Sequence, residues 1–169
     1  RRTMERRLDG IREAFADNNM QFDDKRHLVT TSGFSAEESR EAITTFLSSL
    51  PREQYPTAIL AGGDFMAVGA QEALEKLNLS VPGDISMMSM DGFNLAEIHD
   101  VPLTAVHVPR DELGIEALRL LQQRMSRPDA PCNSLLLGGR LAVRSSVKRL
   151  GSRKVRAAVS TRNHGLYGA

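Results

Sequence analysis

The 169-residue sequence is short of several things, and each shortage excludes a class of protein. It has one cysteine, Cys132, so it cannot form an internal disulfide, and a reducing cytoplasm is the expected setting. A formal net charge of +1 gives no global case for binding nucleic acid or a membrane surface. No apolar run approaches the ~20 residues that a membrane-crossing helix needs. The opening Arg1-Arg2-Thr3-Met4-Glu5 is followed by no apolar core of a signal peptide. The four histidines, His27, His99, His107 and His164, show no metal-ligand spacing with one another or with Cys132, so no metal is expected. There is no Walker-type phosphate loop and no G-x-S-x-G elbow. Asp64 and Asp91 form a possible carboxylate pair, but no nucleophile or base is marked out beside them. The expectation is a non-enzyme without a cofactor.

What is present is an ordinary globular composition, 41% apolar and 25% charged, organised around residues 57–93. Thr57 to Ala61 is an apolar run of strand length, broken by Gly62-Gly63. Asp64 stands at an expected helix N-cap. Met66, Ala70, Ala73, Leu74 and Leu77 then recur at helical spacing, with Gln71, Glu72, Glu75 and Lys76 toward water. After the turn Val81-Pro82-Gly83-Asp84, Ile85 to Met90 forms a second apolar strand that Asp91-Gly92 closes. This is a βαβ unit with an expected right-handed crossover. In such sheets ligands lie beyond the carboxyl ends of the strands, where Asp64 and Asp91 both fall.

Upstream, Met4, Leu8, Ile11 and Phe15 mark an amphipathic helix on which Thr3 and Arg7 share a face. Taken alone, Arg1, Arg2, Arg6 and Arg7 read as a solvated basic face. His27 to Thr31 reads as a strand. Ser35-Ala36-Glu37-Glu38 is a capping box opening a helix with Ala42, Ile43, Phe46, Leu47 and Leu50 on its apolar face. Phe34 precedes that cap, either as a hydrophobic staple or as a ring at the ligand edge. Pro102 to Val108 reads as a strand, and Pro109 opens a helix with Asp111 and Glu112 in its first turn. Ser134 to Leu137 and Leu141 to Val143 are the last expected strands. From Ala130 to the end there is no acidic residue, and the stretch 149–169 reads as a basic, disordered tail.

In combination, PTAILAGGDFMAVGAQEAL, VPGDISMMSMDGF, RRTMERRLDG and LAVRSSV resemble the effector-binding domain of the LacI/GalR family of bacterial transcription regulators, over about residues 1–147. The resemblance implies a type I periplasmic-binding-protein-like α/β fold with a parallel sheet. Residues 1–104 would form the C-terminal lobe, 105–133 a crossover strand and a helix belonging to a largely absent N-terminal lobe, and 134–148 the return strands. It implies effector contacts at Arg7, Asp91, Phe34, Thr3, Asp64 and Arg1, and a homodimer surface at Phe65, Val68, Ala70 and Phe93. Gly63 departs from the family's common polar residue, and Ser89 from its usual glycine. The implied ligand is a sugar or sugar derivative, with a purine or nucleoside second. Operator DNA would be bound through a headpiece outside this chain, which starts inside a helical pattern and reads as a fragment. A periplasmic sugar-binding protein of a transporter is the rival reading, since it shares the fold.

Overall fold

A computed structural model describes residues 2–92, 100–150 and 159–163. Arg1 and Phe93 lie outside the described residues. The chain opens with helix α1 (Arg2–Asp17), a one-turn α2 (Asp24–His27) and strand β1 (Leu28–Thr31). Helix α3 (Ala36–Ser48), β2 (Ala58–Ala61), α4 (Asp64–Lys76) and β3 (Ser86–Asp91) follow. Then come β4 (Thr104–His107), α5 (Arg110–Ser126), β5 (Arg140–Ala142) and β6 (Val159–Asn163). The six strands form one sheet in the order β1-β6-β2-β3-β4-β5. Every pairing is parallel except that of β4 with β5.

Local chemistry accounts for most boundaries. Ser35 caps α3 by accepting from the Glu38 amide at 3.2 Å, while a Glu38 carboxylate oxygen accepts from the Ser35 amide at 3.3 Å. This is the capping box read from sequence. Helix α4 begins differently from expectation. Its N-cap is Gly63, which makes no side-chain cap, and Asp64 is the first helical residue with its carboxylate turned inward. Gln71 is also buried rather than facing water, on a helix that packs against β2, β3 and α3. Helices α3 and α4 cross closely. A Cβ at Gly69 would come within 1.9 Å of the Ala36 carbonyl oxygen, so only glycine allows the contact. The Ser39 hydroxyl donates to the Met66 carbonyl at 2.7 Å across the same crossing.

The core is the interior of this two-layer arrangement: Val29, Ile59 and Met87 from the strands, Ile43, Leu47, Met66 and Leu74 from the helices, with Ile85 and Leu103 at the strand starts. The segment after β5 is stitched to the amino-terminal ends of β3 and β4. The Ser146 hydroxyl donates to the Met87 carbonyl and accepts from the Thr104 amide, both at 2.7 Å, and Arg144 donates to the Leu103 carbonyl at 2.7 Å. That is the structural meaning of RSS in the LAVRSSV stretch.

Four expectations are corrected. His27 closes a helical turn rather than opening β1, because the Asp23 side chain caps that turn by accepting from the Lys25 amide. Ser134 to Leu137 forms no strand, since the return pairs with β4 only from Arg140 onward. Strand β4 stays paired with β3 through His107, so a boundary at residue 105 would cut a strand of this sheet. The tail is not wholly irregular: Val159–Asn163 pairs with both β1 and β2. Helix α5 buries none of its 17 residues, and Leu113, Leu118, Leu121 and Met125 are exposed on it. Among the described residues no helix is long and apolar enough to cross a membrane.

Candidate functional site at the carboxyl edge of the sheet

The carboxyl ends of β2, β3 and β4 present Gly62, Asp91 and His107 along one edge. Helix α1 lays Arg7 across it. One guanidinium nitrogen donates to the Gly62 carbonyl at 2.5 Å and the other to an Asp91 carboxylate oxygen at 2.6 Å. The two side chains are a quarter exposed, 25% and 29%, so the pair is reachable yet partly desolvated. Arg7 is thus no member of a solvated basic face. It ties α1 to two strand ends, across 84 residues of sequence in the case of Asp91.

Asp91 is held from several sides. Its φ of 116° lies where residues with a Cβ are strained, and Gly92 follows at φ 58°. A Cβ at Gly92 would stand 2.7 Å from the His107 Cα, so the turn needs glycine on two counts. Arg110, at the start of α5, donates to the Asp91 carbonyl at 2.6 Å. Gly63 gives the carboxylate room, since even a methyl there would lie 3.1 Å from its second oxygen. Arg110 was not singled out from sequence. Its signal was weak, a lone arginine at a helix start, and only the fold brings it to β3.

The remaining sequence candidates separate. Asp64 is 2% exposed and accepts from the Ser89 hydroxyl at 2.6 Å. It is not presented to the edge as a ligand contact would be. Ser89, where the resembled family usually has glycine, supplies that bond. Phe34 is 47% exposed. The staple reading fails, because the residue at N4 of α3 is Ser39, which offers no apolar surface. Thr3 is exposed on α1. Of the proposed dimer residues, Phe65 is exposed and Val68 half-buried, but Ala70 is fully buried inside this chain. Ala70 is therefore not a surface residue, a correction with a simple cause: α4 turns that stripe onto the core. Among the described residues no group of three or more His, Cys, Asp or Glu could hold a metal ion. Two grooves, of about 320 Å³ beside Leu120 to Asn133 and about 480 Å³ along β1 and α3, lie away from Arg7 and Asp91.

The mostly parallel sheet with its flanking helices is an α/β fold that carries a charged pair beyond its carboxyl ends. Residues 1–147 match the family described as periplasmic binding protein-like domain. The chain belongs to that family, in its LacI/GalR branch. It is 30% identical over 148 residues to the HTH-type transcriptional repressor PurR of Mannheimia succiniciproducens, covering 88% of this chain and 43% of that protein. It is 35% identical over 122 residues to the ribose operon repressor of Escherichia coli, covering 72% and 36%. A LacI family transcriptional regulator from Arthrobacter sp. FB24, solved in complex with lactose, matches with a TM-score of 0.61 and 32% identity, over 68% of this chain and 42% of that one. The chain spans less than half the length of these relatives. They are regulators rather than enzymes or transport proteins, which speaks against the transporter reading.

Proposed function

We propose that this chain is the effector-binding part of a LacI/GalR-type transcription regulator and that it takes a small, neutral, hydroxyl-rich molecule at the Arg7–Asp91 edge. The observation that carries the reading is the partly desolvated Arg7–Asp91 pair at the carboxyl ends of β2 and β3. One member donates and the other accepts, which suits a sugar hydroxyl pair. Because the two charges already cancel, an uncharged ligand can insert without stranding either one. The lactose complex of the Arthrobacter relative supports a sugar. A purine or nucleoside is the second reading, favoured by the exposed ring of Phe34 near the same edge. Thr3 and Arg1 would extend the contact along α1.

In this reading the ligand favours a closed state by its differential affinity for it, and the shift is passed to DNA-binding headpieces outside this chain in a homodimer in the cytoplasm. Phe65 and Val68, with Phe93 outside the described residues, would contribute to the dimer surface, and α5 would pack on a second lobe. Calorimetry with D-ribose, lactose and hypoxanthine tests the ligand class. Heat from a sugar that Asp91→Asn abolishes supports the proposal. Binding of hypoxanthine alone would favour the second reading, and sugar binding indifferent to Asp91→Asn would refute the site.

A further inference from the structure

The turn that presents Asp91 is gripped from behind by the junction between β4 and α5. Asp91 is the last residue of β3 and stands in register with His107, the last residue of β4. Beyond that pairing the backbone turns through two positive φ angles, 116° at Asp91 and 58° at Gly92. Three groups of the junction meet the turn. The Val108 amide donates to the Asp91 carbonyl at 3.4 Å, and the Arg110 guanidinium donates to the same oxygen at 2.6 Å. The His107 Nδ1 lies 3.3 Å from the Gly92 carbonyl oxygen.

Arg110 is out of place by the rules of its own helix. It is the first residue of α5, where the helix dipole favours negative charge such as that of Asp111 and Glu112 beside it. Its bond to the Asp91 carbonyl is a compensating contact, charge-assisted and shorter than the bond from the Val108 amide. The direction of that carbonyl is set by the two dihedrals flanking its peptide unit, ψ of Asp91 and φ of Gly92. Glycine leaves the second of these nearly free. With the carbonyl pinned, the positive φ of Asp91 is locked between the β3–β4 ladder and Arg110. That angle decides where the Cβ, and with it the carboxylate, points. A residue with a Cβ keeps a positive φ only under constraint. Without Arg110, Asp91 relaxes toward an ordinary φ, and its carboxylate swings off the Arg7 guanidinium that now lies 2.6 Å away.

We propose that Arg110 is a positioning residue of the ligand edge: through the Asp91 carbonyl it aims the Asp91 carboxylate at Arg7 and at a bound sugar hydroxyl. Its role toward the ligand rests on the sugar-binding reading of this edge, whereas the aim at Arg7 can be read without any ligand.

The test uses the full chain with Arg110→Met, which keeps an aliphatic stem but donates nothing, and Arg110→Lys, which keeps a cationic donor. Without ligand, NMR of the wild-type chain should show resolved guanidinium N–H signals of Arg7, held by Gly62 and Asp91. It should also show Overhauser contacts from the Arg110 guanidinium to Gly92. Arg110→Met should collapse the Arg7 signals by free rotation, as Asp91→Asn does, while Arg110→Lys keeps them. A merely structural Arg110 would lower the urea midpoint and leave the Arg7 signals of the folded chain intact. In calorimetry with D-ribose or lactose, Arg110→Met should weaken binding about tenfold and Arg110→Lys less than about threefold. If neither sugar binds the wild-type chain, the sugar reading falls, and the Arg7 signals still decide for or against Arg110. Should Arg110→Met fail to fold, Arg110→Ala and the wild-type Overhauser contacts carry the test. Arg7 signals unchanged in the folded Arg110 variant, or no contact between Arg110 and Gly92 in wild type, would overturn the proposal.

Discussion

Asp91 concentrates four demands on one residue: a positive φ, a glycine behind it, Arg7 on its carboxylate and Arg110 on its carbonyl. Strain of this kind persists only where the surroundings over-determine it, and it collects at functional edges. Gly92→Ala should destabilise the chain by roughly 1–3 kcal/mol, read as a lower urea midpoint, because it adds a Cβ at positive φ against the His107 backbone. Arg7→Ala should weaken sugar binding by roughly 1.5–3 kcal/mol, ten- to a hundredfold, and calorimetry beside a denaturation curve separates that loss from unfolding. Asp91 was legible in the sequence as a carboxylate closing an apolar strand. Arg7 was legible only through the family resemblance, because nothing in an arginine-rich helix start says which arginine reaches 84 residues down the chain. Arg110 and the inward turn of Asp64 were not legible, since both depend on how helices seat on the sheet. His27 adds a pH test. Burial holds its pKa below the ordinary 6.5, Arg26 adds to this, and Asp23 opposes it. The Asp23 amide also donates to its Nδ1 at 2.9 Å, which requires the neutral ring. The unfolded chain therefore takes up a proton more readily, and stability is lost as pH falls through and below 6.5. His27→Gln should flatten the urea midpoint between about pH 5 and 7.

At the scale of elements, sequence reading served best where one local device fixes the outcome. The α3 capping box is such a case, and Ser35→Ala should cost about 1 kcal/mol of stability in chemical denaturation. Hydrogen bonds from the Ser32 and Ser35 side chains and the Ser35 amide lower the Glu38 pKa from its ordinary 4.5. The ionised form is the one bound, so its contribution is present above that value and fades as pH falls below it. Reading failed where a residue's surroundings come from elsewhere in the chain. Gln71 has helical spacing suited to water, yet it is buried in the packed chain, and residues 134–137 look like a strand but form none. The tail strand could not be read at all, because its composition opposes the slot it fills. Helix α5 forms as its pattern predicts, with Leu113, Leu118 and Leu121 open to solvent. Its amides should exchange well before those of α4, which buries Met66, Ala67, Ala70, Ala73 and Leu74.

At the scale of the whole molecule, the mostly parallel sheet and the family match describe a periplasmic-binding-protein-like fold, and under the proposed function its carboxyl edge would offer one side of a ligand cleft. The most direct measurement is two-dimensional NMR of the labelled chain during titration with D-ribose and with lactose. The account predicts that shifts cluster at the Arg7 guanidinium and at the amides of Gly62, Gly63, Asp91 and Gly92, and that Asp91→Asn removes them. Shifts clustered instead at the groove beside α5 or along β1 and α3, and untouched by Asp91→Asn, would contradict it.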